Sequence, residues 1–381
     1  MKVEGVAAVA DFLGDNIIYR SLTPADPRLP GYEAFVRSRG DASPVLPRKS
    51  DPAYAQVVLF ILEQAQALRG AERGLRELIY IGDSVQLDME AFRNLQRESG
   101  WPTWAFIGRD TASEPPALRV EDHVSYGNRW ALLPDFLRRI GREGARLGGS
   151  SAVVVDLDKT VLGPRGRNDG SIDAARTAAA LRCAEKTVPD AAVRERFVPV
   201  YEELNQPRYH FFTGDNQDYL VYIALATAAG LYDFEALKRD LADGRLSTFA
   251  DFLDVVDRRV AKGEAPGLQG VHREVMDNYR KGDPTPFKSF RREEYLATVE
   301  RMCADTRGRA TEVLLGETIT LNYEVAQALA YLGRRGLLLF ALSDKPDEAV
   351  FPTAELAARG YRPLHRVSTS LVGEPLQFGP E

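Results

Sequence analysis

The chain has 381 residues, a length that suits two or three folding units at about 150 residues each. Its 44% hydrophobic and 27% charged residues exclude wholesale disorder and collagen-like repetition. The 49 basic and 55 acidic side chains leave a net charge of −6, which gives no reason to expect nucleic acid or an anionic membrane as the main partner.

The opening Met1-Lys2-Val3-Glu4-Gly5 turns acidic and mixed at once, unlike a signal peptide, and residues 1–44 carry no pattern that assigns them. Asp51-Pro52 is a helix start, with Asp as N-cap and Pro at the first helical position. Residues 53–68 follow, apolar nearly all round and therefore predicted to be buried, with Gly70 as the stop. Residues 77–81 form a short, nearly continuous apolar run that ends in Gly82-Asp83-Ser84. Residues 104–108 suggest a further strand, 132–140 a helix, and the glycine-rich 141–149 a linker. A second continuous apolar run, 151–155, ends in Asp156-Leu157-Asp158, and a third, 336–342, ends in Ser343-Asp344 after a helix over 322–335. Residues 364–372 suggest one more strand. Such runs belong to strands with helices on both faces of a parallel sheet.

Between the second and third runs, residues 168–314 carry helical periodicity over 173–186, 217–230, 234–242, 249–261 and 290–306. The longest uncharged apolar stretch, 219–232, is shorter than the roughly 20 residues that span a bilayer. The predicted fold is therefore α/β: a doubly wound, mainly parallel sheet over residues 1–164 and 315–381, with an inserted helical domain over 165–314. Cys183 and Cys303 cannot build a disulfide framework, and the four histidines are too scattered for a zinc site. The expectation is a cytoplasmic protein, either cofactor-independent or metal-dependent.

In open α/β sheets ligands bind at the carboxyl ends of strands. The sharpest signal there is Val153-Val154-Val155-Asp156-Leu157-Asp158-Lys159-Thr160. Alternation along extended chain sends Asp156 and Asp158 toward one side of the strand end. Two carboxylates in one crevice repel unless a cation or a shared proton intervenes, and Mg²⁺ suits hard oxygen ligands.

Asp156-Leu157-Asp158-Lys159-Thr160 resembles the first motif of the haloacid dehalogenase superfamily, most of whose members are Mg²⁺-dependent phosphohydrolases. The strand ending in Ser343 resembles the second motif. Lys49, just ahead of the Asp51-Pro52 helix start, fits the third, and residues 79–88, with Asp83 and Asp88, resemble the fourth. The family's chain order is first, second, third, fourth. Here the third and fourth come in the first hundred residues, as a circular permutation would produce, with the break after 364–372 and the 141–149 linker joining the old ends.

The resemblance implies roles residue by residue. Asp156 is the nucleophile that forms an aspartyl-phosphate. Asp158 is the acid toward the leaving oxygen and then the base on water. Asp156, Asp83 and the Asp158 backbone carbonyl hold Mg²⁺, and Asp88 orients a metal-bound water. Ser343 hydrogen-bonds phosphoryl oxygens, and Lys49 neutralises their charge, with Arg48, next to it, and Lys345, just after Ser343, as alternatives for that base. Thr160 braces the turn. Helical insertions at this point form caps that exclude water and favour small phosphorylated substrates. Arg165 and Arg167, near the hinge, are candidates to meet an anionic substrate.

The expected activity is hydrolysis of a small phosphorylated metabolite. Phosphotransfer through the same intermediate, and a silent scaffold that binds a phosphorylated ligand, are the alternatives. Gly82-Asp83-Ser84 also resembles the nucleophile turn of Gly-Asp-Ser-Leu esterases, with Ser84 attacking. That family places Asp three residues before its His, whereas Val120, Pro207, Gln269 and Arg362 precede the four histidines here. An ion-pump-like register, with Asp158 as nucleophile ahead of Thr160, needs membrane helices.

Overall fold

The structure, a computed structural model, describes residues 1–40, 46–188, 190–302 and 308–378. Cys303 and the last residues of the helix expected over 290–306 lie outside them. The chain divides into two compact units, Met1–Asp173 with Thr298–Glu381, and Ala174–Ala297.

The first unit is built on a seven-stranded sheet. Its strands are β2 (Ile17–Ile18), β3 (Glu77–Gly82), β4 (Thr103–Gly108), β5 (Leu118–Glu121), β6 (Val124–Gly127), β7 (Ser151–Asp156) and β9 (Leu338–Leu342), in the order β2-β9-β7-β3-β4-β6-β5. Every pairing is parallel except β5 with β6. All six residues of each of β3, β4 and β7 are buried, which explains their unbroken apolar sequences. A smaller sheet, β1 (Lys2–Ala7), β10 (Thr369–Gly373) and β8 (Leu321–Asn322), pairs a strand near the start of the chain with one near its end.

The helix Pro52–Leu68 forms as its sequence predicts and buries Tyr54, Val57, Val58, Ile61 and Leu62 against the sheet core. Asp51 has the extended backbone of an N-cap, but its carboxylate accepts from Arg48 N at 2.7 Å and not from a helix N–H. The glycine-rich connection after the helix Leu133–Arg142 is pinned, unlike a free linker. Buried Glu77 accepts from Arg146 N at 2.9 Å, from Leu147 N at 3.2 Å and from Ser151 Oγ at 3.1 Å.

The second unit is helical. The helix Gln217–Ala228 contains most of the uncharged apolar stretch, and all its residues but Gln217 and Tyr219 are buried. Its Tyr222 ring packs near Phe249, Phe252 and Phe287. Its one charge, Asp218, accepts from Phe287 N at 3.0 Å and from Arg291 Nε at 2.9 Å. The helix owes its apolar character to burial inside this unit, and among the described residues no helix is long and apolar enough to cross a membrane.

The unit boundaries fall inside the helices Asp169–Thr187 and Lys288–Met302, some way from residues 165 and 314. Residues at the edges of the expected insertion bond to the first unit. Asn168 Nδ2 donates to Thr318 O at 2.9 Å, Thr320 N to Asn168 Oδ1 at 2.8 Å, and Ser171 Oγ to Leu315 O at 3.0 Å.

Candidate functional site

The carboxyl ends of β3, β7 and β9 bring Asp83, Asp156 and Ser343 to one edge of the sheet, because these strands are neighbours in parallel register. Lys49 enters from the loop before the helix Pro52–Leu68. That loop is fixed by Arg20 Nη1 on Pro47 O at 2.7 Å and Asn94 Nδ2 on Ser50 O at 2.7 Å. Asp88 enters from the first turn of the helix Leu87–Ser99.

Asp83, Asp88 and Asp156 converge. One oxygen of each lies within 4.8 Å of the others, and all three are buried. Lys49 Nζ donates to Asp88 Oδ1 and to Asp156 Oδ1, both at 2.6 Å. Of the three candidate bases it is therefore Lys49 that meets the nucleophile candidate, while Arg48 is exposed. Asp88 also accepts from Tyr80 Oη at 2.7 Å, Asp83 N at 3.0 Å and Ser84 N at 2.9 Å. Asp83 accepts from Arg165 Nε, and Thr160 Oγ1 approaches its other oxygen at 3.4 Å.

Electrostatics follow from this packing. Burial and the neighbouring charge of Asp88 push the Asp83 carboxyl up to about 6, against the pull of Arg165. Burial also raises Asp156 above its ordinary value, with Asp88 and Asp83 reinforcing and Lys49 opposing. Burial acts on Asp88 too, but Lys49 and the hydrogen bonds from Tyr80 and Ser84 N outweigh it and hold this carboxyl low. Lys49 stays a cation despite its burial because Asp156 and Asp88 flank it. Asp88 is thus the carboxylate that Lys49 keeps ionised. Oxygens of three buried carboxylates this close together could hold a metal ion.

Asp158 departs from the expected shared crevice. β7 ends at Asp156, and the chain then turns tightly, with Lys159 in the left-handed region at φ +63° and Val161 N donating to Leu157 O at 3.0 Å. The Asp158 carboxylate consequently stands apart from the three-carboxylate cluster, with Oδ2 3.3 Å from Lys345 Nζ. Its Oδ1 is buried and accepts no hydrogen bond among the described residues. The third carboxylate that converges with Asp83 and Asp156 is that of Asp88. Ser343 Oγ accepts from Lys345 N at 3.1 Å, leaving its own hydrogen to donate.

Thr160 was expected to bond the backbone of its turn, but its hydroxyl reaches toward Asp83 and its carbonyl accepts from Asn322 Nδ2 at 3.0 Å. Arg167 is not at the carboxylate cluster. Its side chain is 3% exposed, with Nε on Asp110 at 2.7 Å and its two terminal nitrogens on Glu324 at 2.8 Å. Ser84 Oγ accepts from Leu87 N at 3.1 Å, and among the described residues no histidine bonds it. His272 and His365 instead join Tyr222 to Asp257 and Tyr19 to Asp15.

Gly82 is a site residue that sequence reasoning missed. A Cβ there would lie 2.6 Å from Asp88 Cγ and Oδ2, so only glycine lets the end of β3 approach this carboxylate. Its signal was a glycine closing a buried strand just before an acidic residue. Gly82→Ala is expected to lower stability by about 1–3 kcal/mol, because Asp88 is held from four sides and cannot yield. A thermal melt within about 1 °C of wild type would show that Asp88 has room to move.

No protein-family model, no curated protein and no solved structure matches this chain.

Proposed function

We propose that the chain is a Mg²⁺-dependent phosphatase of small phosphorylated molecules, related to the haloacid dehalogenase superfamily by a permuted chain order. The observation that carries this reading is the convergence of Asp156, Asp83 and Asp88 around Lys49 at the carboxyl edge of a parallel sheet.

In this reading an oxygen of Asp156 attacks phosphorus, and the bond from phosphorus to the leaving oxygen breaks. Asp158 gives its proton to that oxygen, then takes one from the water that hydrolyses the aspartyl-phosphate and frees Asp156. Lys49 and the Ser343 hydroxyl balance charge on the phosphoryl oxygens. Asp83, Asp88 and Asp156 would hold the divalent ion, which offsets repulsion between a carboxylate and a phosphate dianion.

The test is phosphate release from a panel of sugar phosphates, nucleotides and phosphoglycerate-like acids with Mg²⁺, silenced by EDTA and restored by excess Mg²⁺. Full activity in chelator would contradict the metal site, and binding without release across the panel would favour a silent scaffold. Independently of turnover, Mg²⁺ at about 100 times its Kd is expected to stabilise the protein by about 2.7 kcal/mol. That raises the melting midpoint by roughly 5–10 °C. Asp83→Asn is expected to remove the shift; an equal shift in that variant would take Asp83 out of the ligand set.

A further inference from the structure

Two cations sit on the carboxylate cluster, and they differ in freedom. The Lys49 side chain is 5% exposed and bonds two carboxylates at once. The Arg165 side chain is 38% exposed and meets only Asp83 within the cluster. Its backbone, by contrast, is fixed. Arg165 N donates to Lys159 O at 2.7 Å, and Asp110 N donates to Arg165 O at 3.0 Å. The next residue, Gly166, lies so close to Asp110 that a Cβ would be 2.0 Å from the Asp110 carbonyl oxygen, at a φ of +79°. Arg165 therefore has an anchored root beside the cluster and a guanidinium with open space on one side.

We propose that Arg165 is an exchangeable counter-cation: it holds Asp83 until a divalent ion takes that carboxylate, and its released guanidinium then binds the phosphoryl group of the substrate. This rests on the phosphatase reading above and extends it to the order of binding. The charges favour the exchange. Lys49 and one divalent ion together neutralise the three carboxylates, so Arg165 no longer has a charge to balance at Asp83. A phosphate dianion brings new negative charge to the same edge, and the planar guanidinium fork matches its oxygens two at a time. An ion that binds only when Arg165 has left, and a phosphate that binds only when Arg165 is free, are coupled through one side chain.

The experiment uses the full chain and two probes, Mn²⁺ followed by the paramagnetic resonance of the free ion, and inorganic phosphate followed by calorimetry at saturating Mg²⁺. In Arg165→Ala the Mn²⁺ Kd is expected to fall about threefold, because a competing half-exposed ion pair is gone. The phosphate Kd is expected to rise roughly tenfold or more. Arg165→Lys keeps the charge without the fork, so Mn²⁺ binding should stay near wild type while phosphate binding weakens. Unchanged or weaker Mn²⁺ binding in Arg165→Ala, with circular dichroism unchanged, would make Arg165 a mere support of Asp83 and overturn the exchange. Unchanged phosphate binding would equally overturn it. Absence of Mn²⁺ binding by the wild type would remove the metal site itself, and the exchange with it.

Discussion

Asp156→Asn is expected to cut phosphate-ester hydrolysis by at least about a thousandfold while leaving the protein folded. The amide has nearly the volume of the carboxylate, so β7 and its register with Leu342 are undisturbed. What is lost is nucleophilicity, since an amide oxygen does not displace an alkoxide from phosphorus. Lys49 keeps Asp88 as a partner, so no unpaired cation is created. The measurement pairs initial rates of phosphate release with a thermal melt. A variant that melts within about 5 °C of wild type and keeps its activity would remove Asp156 as nucleophile.

Arg167→Ala is expected to be the most damaging substitution for stability. Removing the guanidinium strands Glu324, whose side chain is 1% exposed, and Asp110, at 10%. It also takes a donor from Val372 O in β10. Breaking a buried ion pair by deleting one partner costs about 3–5 kcal/mol, because the other charge stays buried. In a unit of this size the midpoint should drop on the order of 10 °C. Arg167→Lys should recover little, since one ammonium cannot reach three acceptors in different directions. A midpoint unchanged by Arg167→Ala would show that the pocket rehydrates and that Arg167 is free to serve a ligand.

The neighbouring arginines 165 and 167 show where sequence reading reaches its limit. Both are basic residues after an acidic strand end, and nothing local separates them. Their partners, Asp83 in one case and Asp110 with Glu324 in the other, lie far away along the chain and are chosen by tertiary packing. β3, β7 and β9 were legible because burial on both faces demands unbroken apolar sequence. β2 was not, as two isoleucines become a strand only by pairing with β9. The hairpin of β5 and β6 was missed because three of the four β5 residues are exposed, so no apolar run marks it. The helix Leu87–Ser99 was hidden by an N-terminus without a capping side chain, although Met89, Phe92 and Leu95 repeat at helical spacing. Strand ends made Asp83 and Asp156 visible. The separation of Asp158 was not, because it depends on the left-handed Lys159 that only the folded turn reveals.

The insertion of β9 between β2 and β7 has a consequence for biosynthesis. β3 to β7 come from contiguous chain and form one block, and with Lys49 they contain every member of the carboxylate cluster. β2 leaves the ribosome about 320 residues before the strand it must pair with, a wait of roughly half a minute at ordinary translation rates. Ser343 and Lys345 arrive just after that strand. A nascent chain therefore carries its acidic centre long before the loop that bears Ser343 and Lys345 exists.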